Sequence, residues 1–262
     1  MIAIYRIEAV LWRYLYLFRR SLDRLGDAIY WPILDMVLWG LTVKWLDESG
    51  ADVPNIVVIM LTALVFWQIT WRAQYEVSIN LMEEFWNQNL INMFGSPLRV
   101  IEWIIGVMVV GALKNILTLI VGVLVALGLY SLNIFTVGWY FLPFMVILTL
   151  FGWTLGFFIS GLIINYGSRI QTVAWTLPHL AAPFSSVFYP LEVLPEWAQF
   201  VGKCLPTSYV FEGMRSIVGS GTFNAEAWLT AIPLSIGYFL LSLLFFIHMF
   251  EKSRKKGLAR LD

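Results

Sequence analysis

Two ionisable side chains interrupt long apolar stretches of this 262-residue sequence, and they are the first candidates for chemistry. They are Asp35 and Lys114. A charge at the centre of a bilayer costs roughly 2.5–3.5 kcal/mol on insertion scales, whereas one Leu offsets only roughly 0.3–0.6 kcal/mol of that cost. Each side chain is therefore predicted to face protein or a wet cavity. They either line a transport pathway, or they form a structural pair or mark a shifted span boundary.

Aromatic and small side chains in the fourth long apolar stretch are the next candidates. Trp153 and Phe157 could line a path for an apolar or sugar substrate, although core packing and interface anchoring are the alternatives. Gly152, Gly156 and Ser160 form a ridge of small residues that lets two helices approach closely. The ridge packs either within one subunit or at a dimer seam.

Catalytic and cofactor motifs are not apparent in the sequence. It holds no G-x-x-x-x-G-K-[ST] run for ATP phosphates, and His179, His248 and Cys204 do not have the spacing of zinc ligands. Arg72 and Glu76, four residues apart, read as a local helix pair. We therefore expect no catalytic residue, no cofactor and no metal bound by this chain. The net charge of zero argues against a nucleic-acid partner.

The elements that position these residues are predicted to be membrane-spanning helices. Hydrophobic residues make up 60% of the chain and charged residues 13%, which indicates a surface that faces lipid. About 20 apolar residues cross a bilayer as a helix, and the apolar runs lack the alternation of strands. The six predicted spans are 28–46, 56–71, 101–129, 138–164, 170–189 and 228–250.

Basic residues predict the orientation of these spans. Five arginines precede the first span, and five basic residues lie in 251–262. Both termini are therefore predicted to be cytoplasmic, which requires an even number of spans. Arg99 and Arg169 fall on the same side, and the acidic loop 47–52 falls on the other.

Residues 1–25 are predicted to form an amphipathic helix in the cytoplasmic interface. Arg6, Arg13, Arg20 and Arg24 fall within about 40° of one another on a helix. A basic tail that only obeys the orientation rule is the alternative. The six spans then occupy 26–250, and 251–262 form a basic cytoplasmic tail.

Two connections are too apolar for ordinary loops. In 78–100, the segment 83–94 is predicted to be a short helix that buries its aromatic residues, and lipid headgroups and a partner groove are equally good candidates for what covers it. Gly95 and Pro97 end it. The connection 190–226 is predicted to hold short helices that dip into the outer leaflet and return.

A family resemblance is carried by the C-terminal third of the chain. The sequence Pro-Phe-Ser-Ser-Val-Phe-Tyr-Pro-Leu-Glu-Val-Leu-Pro-Glu-Trp at 183–197, followed by Leu-Pro-Thr-Ser-Tyr at 205–209, resembles the signature of type-2 ABC-transporter permeases in order and spacing. Gly-Ser-Pro-Leu at 95–98 is similar to the family's turn after its coupling helix. The signature residues are Phe188, Tyr189, Pro190, Leu194, Pro195, Trp197 and Pro206.

The resemblance implies one transmembrane domain over 1–262 in the cytoplasmic membrane of a prokaryotic half-transporter. It implies a second permease subunit, as a homodimer, and two copies of a separate ATPase subunit that binds ATP and magnesium. The segment 83–94 would then couple to the ATPase, and the substrate would be amphipathic or lipid-linked and exported. The residues assigned to coupling are Glu83, Glu84, Phe85, Trp86, Met93 and Phe94. A channel or scaffold protein without an ATPase, and a membrane-embedded enzyme, are the alternatives.

Overall fold

The computed structural model describes residues 3–50, 55–223 and 225–257, and these ranges contain helices and no strand. Ten α-helices follow one another, and short 3-10 turns connect some of them. Asp52 of the predicted acidic loop and residues 258–262 of the predicted tail lie outside the described residues. The helices are α1 (Ile4–Arg20), α2 (Leu22–Glu48), α3 (Ile56–Trp86), α4 (Leu90–Gly95), α5 (Val100–Tyr130), α6 (Phe141–Tyr166), α7 (Val173–Ala181), α8 (Glu196–Lys203), α9 (Pro206–Ser220) and α10 (Ala225–Lys255).

Four stretches within these ranges are long and apolar enough to cross a membrane. They are Ile56–Trp86, Val100–Tyr130, Ile134–Tyr166 and Trp228–Lys255. The prediction of an all-α multi-pass membrane protein is confirmed. The 27-residue helix α2 carries Asp23, Arg24, Asp27 and Asp35, and it is not among the four. The number of spans, six, stays a prediction.

The helix that contains the second predicted span extends well beyond it. Residues 56–71 are only the first half of α3, which continues unbroken to Trp86 and so includes residues 78–86 of the predicted connection. The second half carries Arg72, Glu76 and Asn80, and all three side chains are buried. Charged side chains that find partners inside the protein do not end a helix.

The fifth predicted span, 170–189, is not one continuous helix. Only Val173–Ala181 is α-helical, and 3-10 turns flank it at Gly167–Ile170 and Ala182–Phe184. Pro183 explains the end of the α-helix, because proline lacks the backbone N–H that continues a helix, whereas α7 continues through Pro178.

Helix α3 is central to the bundle and packs most closely on α6. Cβ atoms built on Gly152 and Gly156 would lie 2.5 Å from the Thr70 carbonyl oxygen and 2.7 Å from the Val77 Cβ. The Ser160 hydroxyl lies 3.5 Å from the Val77 carbonyl oxygen. The small-residue ridge of α6 therefore packs against α3 within this chain, which was one of the two interpretations of the ridge.

One end of the bundle gathers four separate parts of the chain. Trp86 at the end of α3 donates a hydrogen bond to Gln171, beside α7, at 3.2 Å. Phe94 of α4 packs edge-on against Phe250 near the end of α10, with ring centroids 4.6 Å apart. Most of the basic residues lie in α1 and in the other segments that meet at this end.

Helix α1 lies against this end rather than apart from it. Val10, Tyr14 and Phe18 are its buried face, while Trp12 and Tyr16 are exposed. The helix ends at Arg20, because the Ser21 hydroxyl caps α2 by accepting the Arg24 N–H. The predicted single helix over 1–25 is thus two helices, and Arg24 belongs to the second.

Candidate functional site

A buried cluster of charges lies between α3 and α5. The Lys114 ammonium is 2.6 Å from one Glu76 carboxylate oxygen, and the Arg72 guanidinium is 2.7 Å from the other. Lys114 and Glu76 are 3% and 1% exposed. Lys114 therefore faces protein, and its partner is Glu76 rather than Asp35. Such a pair is costly to break, because removing one partner leaves an uncompensated buried charge.

The Arg72–Glu76 pair is more than the surface helix pair that its spacing suggests. Both side chains are buried, and Arg72 also lies 3.8 Å from Asp27 of α2. The Lys114 ammonium lies over the Phe18 ring, 4.6 Å from its centroid. One cluster thus connects α1, α2, α3 and α5 inside the protein.

Asp35 lies at the centre of α2 and borders a cavity instead of this cluster. Its carboxylate accepts a hydrogen bond of 2.6 Å from the Gln68 amide of α3. The cavity has a volume of about 760 Å³ and lies between α2, α3 and α7. His179 borders it too, with its ring 4.6 Å from that of Trp71. Asp35 is half-buried and faces this open cavity, whose wall also includes the exposed side chains of Trp31, Trp175 and Leu180.

Two carboxylates assigned to coupling hold α1 and α2 to the end of α3. Glu84, 1% exposed, accepts two hydrogen bonds from Arg13, at 3.0 and 2.8 Å, and another from the Asn89 amide at 2.6 Å. Glu83 forms a salt bridge with Arg24. Both carboxylates thus form connections within this chain.

A buried tyrosine completes the junction with α1. The Tyr14 hydroxyl is 3.2 Å from Glu84 and accepts a hydrogen bond of 2.9 Å from the Trp103 indole. Burial, followed by the charge of Glu84, raises the pKa of the Tyr14 phenol. The phenol therefore stays neutral and donates to the carboxylate.

The predicted coupling segment divides into an internal and an exposed set. The segment 83–94 is not one helix: α3 ends at Trp86, and α4 begins at Leu90. Phe85 and Met93 are buried in the bundle core, and Phe94 packs against it. Trp86, 51% exposed, and Ile91 are the apolar side chains of this segment that reach the surface. A partner would therefore contact Trp86 and Ile91 instead of the full predicted set.

Trp153 and Phe157 belong to the core. The Phe157 ring is fully buried and packs against Phe239 and Phe246, with centroids 6.2 and 5.6 Å away. Trp153 packs against the same Phe239 ring at 6.2 Å. Within this chain they pack as ordinary core residues. Core packing was the alternative to lining a substrate path.

The signature residues form a folded element at the opposite end of the bundle. The Leu191 N–H, directly after Pro190, donates to the Glu212 carboxylate of α9 at 2.7 Å. Arg215 donates to the Ser186 carbonyl oxygen at 2.9 Å, and Ser208 donates to that of Phe184 at 3.0 Å. Pro206 begins α9. Side chains of α9 thus satisfy backbone groups of the irregular segment before it.

Other signature side chains fix the turns or remain on the surface. Phe188 stacks on Trp39 of α2 with centroids 5.4 Å apart, and the Leu194 carbonyl oxygen accepts a hydrogen bond from Gln199. Pro195 precedes the first turn of α8, and Trp197 is exposed. Tyr189 lies in the turn before Pro190.

Glu76 and Gln68 were not identified as partners from the sequence. The signal was present in part: Gln68, Arg72, Glu76 and Asn80 recur every four residues and so lie along one face of α3. That spacing identifies a polar face on a helix in an apolar bundle. It does not identify which neighbouring helix meets the face.

The comparisons with known proteins agree with the fold. The model of the ABC-2 type transporter family matches residues 6–218, which is most of the chain. No curated protein matches. The helical bundle with four stretches able to cross a membrane fits a membrane component of a transporter. The chain belongs to the ABC-2 type transporter family, as a membrane permease component.

Proposed function

We propose that this chain is the permease subunit of an ATP-driven exporter in the cytoplasmic membrane, with both termini cytoplasmic and six spans. Two copies form a homodimer, and each copy contacts one separate ATPase subunit that binds ATP and magnesium. The substrate is amphipathic, and no residue of the permease is catalytic. The family match supports the proposal most strongly, since members of this family generally pair with an ATPase subunit.

The end of α3 is the proposed contact with the ATPase. Trp86 and Ile91 present two apolar side chains on a surface otherwise made of Asn87, Gln88 and Asn92. A large exposed aromatic ring amid small polar residues is a frequent anchor at protein interfaces. The carboxylates of Glu83 and Glu84 hold this surface to α1 and α2, so a displacement of Trp86 reaches those helices.

Buried charge pairing makes a channel the weaker alternative. A conducting pathway needs charges that ions can reach, whereas Lys114 is paired with Glu76 and both are buried. The cluster reads as structural within this chain.

Replacing the exposed anchor tests the proposal. We expect Trp86→Ala to weaken binding of the ATPase subunit by about thirtyfold, because truncating a well-packed aromatic anchor costs about 2 kcal/mol. Trp139→Ala is the matched control, since Trp139 is also exposed but lies in the 3-10 turn at the other end of the bundle. The measurements are co-purification with an ATP-hydrolysing subunit and ATP-dependent transport in vesicles. Full assembly and full transport by Trp86→Ala would show that this surface does not couple to an ATPase.

A further inference from the structure

The cavity between α2, α3 and α7 has walls made mainly of aromatic rings. Trp31 comes from α2, Trp67, Trp71 and Tyr75 from α3, and Trp175 from α7. The three residues of α3 are spaced four apart, so one helix face supplies all three. Tyr75 and Trp175 contact each other across the cavity wall, with ring centroids 5.4 Å apart.

Two carboxylates enter this aromatic wall. Asp35 accepts only the Gln68 amide, and in the described parts of the chain no basic side chain lies within ion-pair distance of it. Asp27 lies 3.8 Å from Arg72, but that guanidinium is shared with Glu76 at 2.7 Å. The cavity thus has one carboxylate without an ion-pair partner, with the ionisable ring of His179 also on its wall, and a second carboxylate that is only partly neutralised.

These features select a positively charged, hydrophobic occupant. Aromatic rings present negative faces that attract a cation, and a carboxylate in a largely apolar site gains from a counter-ion. An anion would meet repulsion from Asp35 and Asp27. The volume of about 760 Å³ suits a drug-sized molecule.

We propose that this cavity binds a monovalent hydrophobic organic cation, with Asp35 as its counter-ion and Trp31, Trp71 and Trp175 as the rings around it. The cation is also the substrate class of the transporter, and that second statement rests on the proposed function. The binding statement does not, because all the residues that carry it, from Asp35 to the surrounding rings, belong to this one chain.

Two ions of nearly equal size and opposite charge test the binding site. The purified full chain in nanodiscs of neutral lipid is dialysed to equilibrium against tetraphenylphosphonium or tetraphenylborate, and uptake by empty nanodiscs is subtracted. We expect the cation to bind at least about tenfold more tightly than the anion. Equal binding of the two ions would overturn the proposal, as would binding of a neutral oligosaccharide in place of the cation.

Variants locate the bound cation. Asp35→Asn should weaken tetraphenylphosphonium binding about tenfold, because it removes the charge but keeps an acceptor for Gln68. Trp175→Leu, which alters a partly exposed ring and leaves the core untouched, should weaken it severalfold. Glu196→Gln is the control, a carboxylate exposed on α8 outside the cavity. Unchanged binding in both cavity variants would place the cation elsewhere.

A transport assay distinguishes binding of the cation in the cavity from its transport as a substrate. Vesicles that contain the permease with its ATPase are given ATP and tetraphenylphosphonium, and the wild type is compared with Asp35→Asn. ATP-driven movement that Asp35→Asn reduces supports the cation as substrate. If ATP hydrolysis depends on the permease but the bound cation neither moves nor alters hydrolysis, the substrate assignment is wrong while the site and the proposed function stand. If no ATPase assembles at all, the proposed function and the substrate assignment fail together, while the binding site stands.

Discussion

At the scale of single residues, Glu76 is the side chain with the most consequence for stability. Its two oxygens neutralise two buried cations, Lys114 and Arg72. Burial removes the water around each cation, which costs free energy. The carboxylate offsets part of this desolvation cost, whereas the surrounding apolar side chains cannot.

We expect Glu76→Gln to destabilise the protein by about 3–5 kcal/mol, because it leaves the buried Lys114 uncompensated and Arg72 with only the more distant Asp27. Lys114→Met should be milder, since Glu76 keeps its bond to Arg72. Thermal unfolding in detergent, monitored by the loss of the monodisperse peak, ranks the stabilities of the two variants. Equal losses would mean that the charge of Glu76 is not the stabilising feature.

The residue-scale picture shows where sequence reasoning succeeded and where it stopped. The cost of burying a charge was enough to predict that Asp35 and Lys114 avoid lipid. It did not pair Lys114 with Glu76, because the adjacency of α3 and α5 depends on tertiary packing. Phe85 and Met93 were expected to contact a partner. Their apolar character predicts that they are buried, but it does not show whether this chain or a partner buries them.

At the scale of elements, α1 is joined to the bundle by charge pairs near its start and at its middle. Arg6 lies 3.5 Å from Glu102 at the start of α5, and Arg13 binds Glu84 at the end of α3. The exposed face of α1 carries Trp12 and Tyr16, which suits a helix in the membrane interface.

We expect Glu84→Gln to loosen α1, because it removes the charge that holds Arg13 and receives the Tyr14 hydroxyl. Hydrogen exchange across residues 4–20 should rise about tenfold or more, since hydrogen bonds to charged groups contribute about 1.5–3 kcal/mol. Arg19→Ala is the control, because Arg19 is exposed on the same helix and makes no ion pair within the described residues. If the two variants exchange alike, the Glu84 contacts do not hold α1.

The contact between α3 and α6 gives a second element-scale prediction. Gly152→Ala should destabilise the protein by about 1–3 kcal/mol, because the added methyl would overlap the Thr70 carbonyl and overpack the interface. Gly237→Ala is the control: it lies within α10 with open space around it and should be neutral or slightly stabilising. The measurement is the thermal unfolding of both variants. If Gly152→Ala is as stable as the wild type, α3 and α6 are not closely packed at this position.

Element types were predictable from the sequence, while several boundaries were not. Apolar length identified α5, α6 and α10 correctly in type and place. The extension of α3 to Trp86 was missed because its second half is polar, and several of those polar residues meet partners distant in sequence, such as Lys114 for Glu76 and Arg24 for Glu83. The prolines of 170–189 argued against a continuous helix, yet the apolar composition favoured one.

At the scale of the whole molecule, the two ends of the bundle differ in charge and in composition. The ends of α3 and α10 meet α1 at one end, and the segment 182–223 with its prolines lies at the other. The arginines and lysines near the first end predict that it faces the cytoplasm.

Cysteine labelling tests that orientation. In a Cys204→Ser background, Asn133→Cys should react with a membrane-impermeant maleimide added from outside, whereas Asn87→Cys and Lys255→Cys should react only after permeabilisation. All three positions are exposed in the structure, so differences in reactivity report the side of the membrane. Strong outside labelling at position 87 or 255 would refute the six-span topology.

The unbroken length of α3 has a mechanical consequence. Trp86 lies eighteen residues beyond Gln68, which corresponds to about 27 Å of helix at about 1.5 Å per residue. A tilt of about 5° that pivots at Gln68 would shift the Trp86 end by roughly 2 Å, with the intervening segment moving as a stiff rod. The hydrogen bond between Gln68 and Asp35 would therefore act as a fulcrum. Trp67 and Trp71, close to this pivot, would stay nearly in place, whereas Tyr75, seven residues beyond it, would move by roughly 1 Å without any helix bending.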